Sequence, residues 1–394
     1  MDILLFAVGL LLVLGTVMSV LFTLVLPRQP AGVQRLTVLV NRAVRLAFVA
    51  ASRLARTYEA KDAILAPTAP VALLAQLLFW ACTLVLGFGL MLQAGTHSLG
   101  DGLLQALTSL FTVGAVHIGG RPDEGIDIAV GAIWVVIVAL QIAYLPALYS
   151  SYSQRESLVA LLESRAGQPA WGPELLARHQ LVGISDTLPE LYQEWEVWSA
   201  DVAESHTTYP ILLLFRSPEP WLSWLTGLIA VLDAAAMHLA LDPRSAPSSA
   251  RLCLRMGFTL VQRVGRSLGW EVDPDPNPEG PIALDFAEFE SAVAMLDAAG
   301  FPMERTAAEA WPDFRGWRVN YETLAYRLAD RLIAPPAQWT GPRRHLRTGA
   351  VAPRRPPQRK PGGGTDPLVE RPPVVIAANR RRRRPPAAPE DAGS

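Results

Sequence analysis

Cysteine is nearly absent: Cys82 and Cys253 are the only two in 394 residues. Two thiols cannot build a disulfide framework, and no Cys/His cluster offers the spacing of a zinc site. Charge is scarce as well, at 18% of residues where soluble domains carry about a quarter. Hydrophobic residues make up 51% and mean hydropathy is +0.24, so part of this chain belongs in a bilayer. That balance excludes a wholly disordered protein and a small secreted scaffold. No GxxxxGK[ST], HExxH, GxSxG or GxGxxG occurs, and no enzymatic activity, cofactor or resident metal is expected.

What is abundant is apolar length. Residues 3–26 hold no charge, 70–94 center on Leu77, Trp80, Leu84 and Phe88, and 126–149 carry only Asp127 and Pro146 near their ends. Each exceeds the roughly 20 helical residues that cross a hydrocarbon core. The first run is expected to stay as a span, because Asp2 stands where a cleaved leader has positive charge. Orientation follows from the flanks. Arg28, Arg35, Arg42, Arg45, Arg53, Arg56 and Lys61 crowd the first connection, whereas Arg121 is the one base in 95–126. The positive-inside rule places 1–26 as an extra span with its amino end outside, and everything after 150 in the cytoplasm of a plasma (inner) membrane. In the linker 27–69, arginines at 35, 42, 45, 53 and 56 share one face of a helix over 31–62. Such a helix either lies on anionic inner-leaflet lipid or packs on protein.

The outer connection is too apolar for a solvated loop. Residues 102–111 read GLLQALTSLF, a helix about 15 Å long, half a membrane. Thr112-Val113-Gly114-Ala115-Val116-His117-Ile118-Gly119-Gly120 follow, and then the third span. Non-helical backbone at that depth survives when buried in protein or lining a water-filled cavity, so span, re-entrant loop and span suggest a pore over 70–150. This unit resembles that of the potassium-channel family, in which a pore helix ends in a Thr/Ser-rich turn before a threonine-valine-glycine-tyrosine-glycine filter. Thr108 and Ser109 of the pore helix and Thr112, Val113 and Gly114 of the filter stand where that pattern expects them. The resemblance implies a homotetramer whose carbonyls and Thr112 hydroxyls replace the hydration shell of a permeant K⁺. The chain departs from the family at Ala115, Val116 and His117, where tyrosine, glycine and aspartate are usual.

Other residues extend the reading. Pro146 lacks an amide donor and is expected to kink the third span, with or without gating. Gln141 is costly toward lipid, so it faces an aqueous cavity or an interhelical hydrogen bond. His117 at the outer mouth is either a pH-responsive ring or a solvated histidine. Residues 151–340 carry 14 bases and 25 acids and read as a helical cytoplasmic domain, with helices over 154–165, 188–205, 220–241, 248–269, 283–299 and 321–333. The 220–241 run rivals a fourth span, but Asp233 and His238 favor a buried core helix. The 273–282 segment has the wrong spacing for a calcium loop and reads as an acidic linker. The last stretch, 341–394, holds 13 bases against 4 acids, carries the run Arg380–Arg384 and is expected to be disordered, with anionic lipid or the acidic 151–340 domain, rather than specific nucleic acid, as its partner.

The sequence therefore predicts an all-α protein: membrane helices with a re-entrant pore loop, a helical cytoplasmic domain and a disordered basic tail. The expected function is a tetrameric pore-loop cation channel. The alternative is a non-conducting membrane scaffold or sensor that keeps a degenerate pore loop.

Overall fold

The computed structural model describes residues 2–26, 35–93, 98–111 and 124–341. Among them every regular element is a helix. The first half holds α1 (Asp2–Leu24), α2 (Arg35–Ser52), α3 (Tyr58–Leu65), α4 (Thr68–Leu92), α5 (Leu99–Leu110) and the 43-residue α6 (Glu124–Ala166). The second holds α7 (Gly172–Val182), α8 (Leu188–Thr208), α9 (Trp224–Leu241), α10 (Ser248–Ser267), α11 (Phe286–Ala299), α12 (Ala307–Arg318) and α13 (Glu322–Leu332). Four helical stretches of the described residues are long and apolar enough to cross a membrane: Ile3–Leu24, Tyr58–Leu92, Gly125–Ala166 and Trp224–Leu241. This is a membrane protein.

The fourth stretch differs from the other three. All of α9 is buried inside protein, so it has no face left for lipid. It is the center of the C-terminal core, wrapped by α7, α8, α10, α12 and α13. The charge within it has a partner: Asp233 is ion-paired with the fully buried Arg318 of α12 and accepts from the Tyr321 hydroxyl at 2.6 Å. Arg318 also donates to Glu322 at 2.9 Å and to the Trp339 carbonyl at 2.6 Å. A buried charge persists when it is paired, and here the pairing falls on Asp233 Oδ1, while Oδ2 has no hydrogen-bond partner among the described residues.

Helices α1 and α4 meet through small and hydroxylated residues. A side chain on Gly9 would collide with the Gly87 carbonyl, and one on Gly87 would meet Val13 at 2.8 Å, so the backbones approach closely. A polar stripe runs beside this contact, with Thr16 donating to Thr83 at 3.0 Å and Trp80 to Ser19 at 3.3 Å. Close glycine contacts plus interhelical hydrogen bonds hold helices together where lipid is as apolar as their own side chains.

The linker expected as one helix over 31–62 is two. The break comes after Ser52, where Thr57 caps α3 by accepting from the Ala60 amide at 3.2 Å. Helix α3 is then fastened to the C-terminal half through Arg216, which pairs with Asp62 and donates to the Tyr58 hydroxyl at 2.6 Å and the Leu332 and Ile333 carbonyls at 2.8 and 3.0 Å. Helix α6 joins two helices that the sequence reading separated, and runs about 65 Å without interruption. It continues through Pro146, which lies on an exposed side.

Candidate functional site

The site is built around the half-length helix α5. Ser98 starts it by accepting from the Asp101 amide at 3.2 Å. Its buried face carries Gln105, Ala106, Ser109 and Leu110, a spacing of three and four that aligns them along one side. That face sits between α4 and α6. A side chain on Gly89 of α4 would strike Leu103 at 2.6 Å, so this glycine is the seat of the first turns.

Contacts with α6 move steadily along it. Gln105 Nε2 donates to Asp127 Oδ2 at 2.9 Å and Ser109 Oγ to Asp127 Oδ1 at 2.7 Å. A Cβ at Gly131 would touch the Ser109 carbonyl at 3.4 Å, and the Phe111 ring meets Trp134 edge-on at 6.3 Å between centroids. From Glu124 to Trp134 is ten residues of α6, about 15 Å of rise. Helix α5 therefore runs beside about the first 15 Å of α6, a length near half the thickness of a hydrocarbon core, before the described segment ends at Phe111.

Asp127 is the anchor. It is 7% exposed and lies in the first turn of α6, where the helix dipole favors an anion. Both carboxylate oxygens accept from α5, which fixes the rotation and height of that helix. Of the two predicted pore-helix residues, Ser109 joins this clamp. Thr108 donates only to the Gln105 carbonyl of its own turn at 2.9 Å. Thr112, Val113, Gly114, Ala115, Val116 and His117 lie outside the described residues.

On α6 the exposed residues Ile128, Val135, Ile142 and Pro146 recur every four to seven positions and form one exposed face, which ends where the Tyr149 ring meets Phe215. Gln141 is not on it. It is covered by its own chain, at 7% exposure, and its Oε1 meets no hydrogen-bond partner among the described residues. No family model, curated protein or solved structure matches this chain. Among the described residues no cluster of His, Cys, Asp or Glu is arranged to hold a metal ion.

Beyond the apolar stretch, α6 is tied to the C-terminal half by Arg155, which is fully buried. Its guanidinium donates to the Leu212 and Phe215 carbonyls at 3.1 and 3.0 Å and to Glu156 at 2.7 Å. It also meets His206 Nε2 at 3.0 Å. Arginine only donates, so this nitrogen accepts and the ring is neutral. Burial, and then the Arg155 charge, hold His206 well below the ordinary histidine range. The turn Pro210–Leu214 that Arg155 grips is wedged against the near ends of α4 and α6, through Ile211 and Leu212 on Ala69, Leu73, Tyr144 and Leu148. The sequence pattern places helices over 154–165 and 188–205 but gives no sign that Arg155 joins them to the turn at 210–214. One lone base following an apolar helix carries no local sign of a partner fifty residues away.

Proposed function

We propose that this chain is one subunit of a homotetrameric pore-loop cation channel, with potassium as the ion. The observation that carries the reading is the seat of α5, a half-length helix held between two membrane helices with Thr112-Val113-Gly114 directly after its end. A helix that stops halfway down the bilayer needs a return path, and its backbone needs protein or water around it. Four copies around an axis would supply both. The C-terminal end of α5 carries partial negative charge from the helix dipole, which favors a cation at the center. Thr112 hydroxyls and the carbonyls of 112–114 would replace the ion's water.

The exposed face of α6 with Ile128, Val135, Ile142 and Pro146 would line the inner pore. Gln141, being off that face, would not. The cytoplasmic half would act on the pore through Arg155 and the turn it holds, because movement of that turn bears directly on the inner ends of α4 and α6. No ligand identity is needed for this coupling.

A non-conducting scaffold or sensor is the second reading, favored by Ala115, Val116 and His117 in the outer filter. A β-branched valine is a poor substitute for glycine where φ is positive. Subunit counting of the purified protein, followed by single-channel recording in K⁺ and Na⁺, separates the two. A tetramer with K⁺-selective currents supports the channel. A silent tetramer, with inner-leaflet lipid and pH varied, favors the scaffold, and a monomer removes the pore.

A further inference from the structure

Between the inner ends of the membrane helices and the C-terminal half lies a cavity of about 550 Å³, within the usual range for small-molecule sites. Three arginines line it, Arg42 and Arg45 from α2 and Arg331 from the end of α13, and no carboxylate does. Arg45 donates to the Arg331 backbone carbonyl at 2.8 Å, which draws two cations from distant parts of the chain together. Among the described residues none of the three has an acidic partner within salt-bridge distance. Loss of surrounding water, and then the like charges of Arg45 and Arg42, press Arg331 below the ordinary arginine range. Uncompensated clustering of this kind is unfavorable unless an anion sits among the charges.

A second observation points the same way. Gln76 of α4 lines the cavity at 2% exposure, and its Nε2 has no hydrogen-bond partner among the described residues. It stands about 12 Å along α4 from Thr68, toward the bilayer. Asn41 Oδ1, also on the wall, is likewise without a partner. An unmet buried polar group is costly, so groups left in this state are ready for a ligand. Much of the rest of the wall is apolar, including Val38, Leu46, Ile211, Leu213 and Leu214.

We propose that this cavity binds one anionic phospholipid, its phosphate among Arg42, Arg45 and Arg331, an ester carbonyl at Gln76, and the first part of an acyl chain along the apolar wall. The ligand chemistry is a phosphate ester with an attached hydrocarbon. A free phosphate would leave Gln76 and the apolar wall unused. Occupancy would cross-link α2 to α13 next to the turn 210–214, the element that bears on α4 and α6. The inference stands whether or not the protein conducts.

The test uses the full-length protein in detergent, with dioctanoyl phosphatidic acid, dioctanoyl phosphatidylcholine and glycerol 3-phosphate as probes. Binding is read by native mass spectrometry and by the ligand-induced rise in unfolding midpoint. Phosphatidic acid is expected to saturate at one per chain, and the other two to bind at least tenfold more weakly. Arg42→Gln is the clean variant, because Arg42 is exposed and makes no hydrogen bond within the described chain. Each arginine removed should weaken binding about fivefold. Gln76→Leu should raise the midpoint of the empty protein and shrink the lipid-induced rise, opposite signs that a purely structural role would not give. Equal binding of phosphatidylcholine, or affinity for phosphatidic acid unchanged by both Arg42→Gln and Gln76→Leu, would overturn the site. Glycerol 3-phosphate binding as tightly as phosphatidic acid would overturn the lipid and leave a soluble phosphate ester.

Discussion

Replacing Asp127 with leucine should release α5 from α6, and the size of the effect follows from three side chains. The carboxylate accepts from Gln105 Nε2 at 2.9 Å and Ser109 Oγ at 2.7 Å, and all three side chains are below 9% exposure. Leucine leaves two buried donors unmet, at roughly 1–3 kcal/mol each. Against that, the protein no longer has to desolvate a carboxylate, which costs several kcal/mol without its partners. The net loss is expected to be about 2 kcal/mol. Ser109→Ala alone should cost about as much, because it strips a charge-assisted bond from a carboxylate that stays buried. The triple variant Gln105→Leu/Ser109→Ala/Asp127→Leu removes every polar member together and should return to within about 1 kcal/mol of wild type. Unfolding in mixed micelles with rising SDS, followed by circular dichroism, gives the differences. The three residues act as one unit only if the losses are far from additive. A triple variant destabilized by the sum of its singles, within about 0.5 kcal/mol, would refute the clamp.

Arg318→Met should destabilize the C-terminal half by about 3–5 kcal/mol, because Asp233 is left as an unpaired buried charge; adding Asp233→Leu should recover most of that loss in tryptophan-monitored unfolding. Gly87→Ile should force α1 from α4, and an oxidative cross-link between Thr16→Cys and Thr83→Cys, whose native hydroxyls are 3.0 Å apart, should fail in that background. Burial lowers the His238 pKa to about 4, opposed by Asp242. In the unfolded chain His238 takes a proton below about pH 6.5, so its contribution to stability is complete above that pH and is lost as pH falls toward 4, about 3 kcal/mol in all. The melting temperature of His238→Gln should therefore fall less steeply than wild type between pH 7 and 4.5; parallel curves would contradict this.

The membrane helices were legible because their signal is local. An uncharged run of twenty residues has few other uses, and α1, α4 and the first part of α6 fall within two residues of the predicted starts. Helix α9 was legible through its interruptions, since Asp233 and His238 inside an apolar run call for protein rather than lipid around them. Helices α7 and α12 were missed although α12 carries a Thr306–Glu309 capping box, because at 11 and 12 residues their apolar pattern is too short to stand out. The break of the linker at residues 53–57 was missed as well. Arginine spacing continues smoothly through it, and only the Thr57 cap marks the new start.

Of the candidate site, the half-length helix and Ser109 were readable, whereas the partners of Ser109 were not. Gln105 and Ser109 are four apart on a polar edge, and Asp127 is a lone acid in an apolar helix, so each was visible singly. Pairing them required the chain to fold back. The same holds for Arg155, Arg216 and the pairing of Arg45 with Arg331, whose hydrogen bonds reach across 57, 117 and 286 residues. Long-range polar contacts leave no periodic trace.

The central claim is that ions pass at the loop following α5. The most direct measurement is K⁺ and Na⁺ flux into proteoliposomes for wild type and Gly114→Val, with Asp127→Leu as a second variant that acts through the clamp. The account predicts cation flux in wild type, its loss on Gly114→Val with the tetramer intact, and a reduced flux on Asp127→Leu. Flux that survives Gly114→Val unchanged would contradict it.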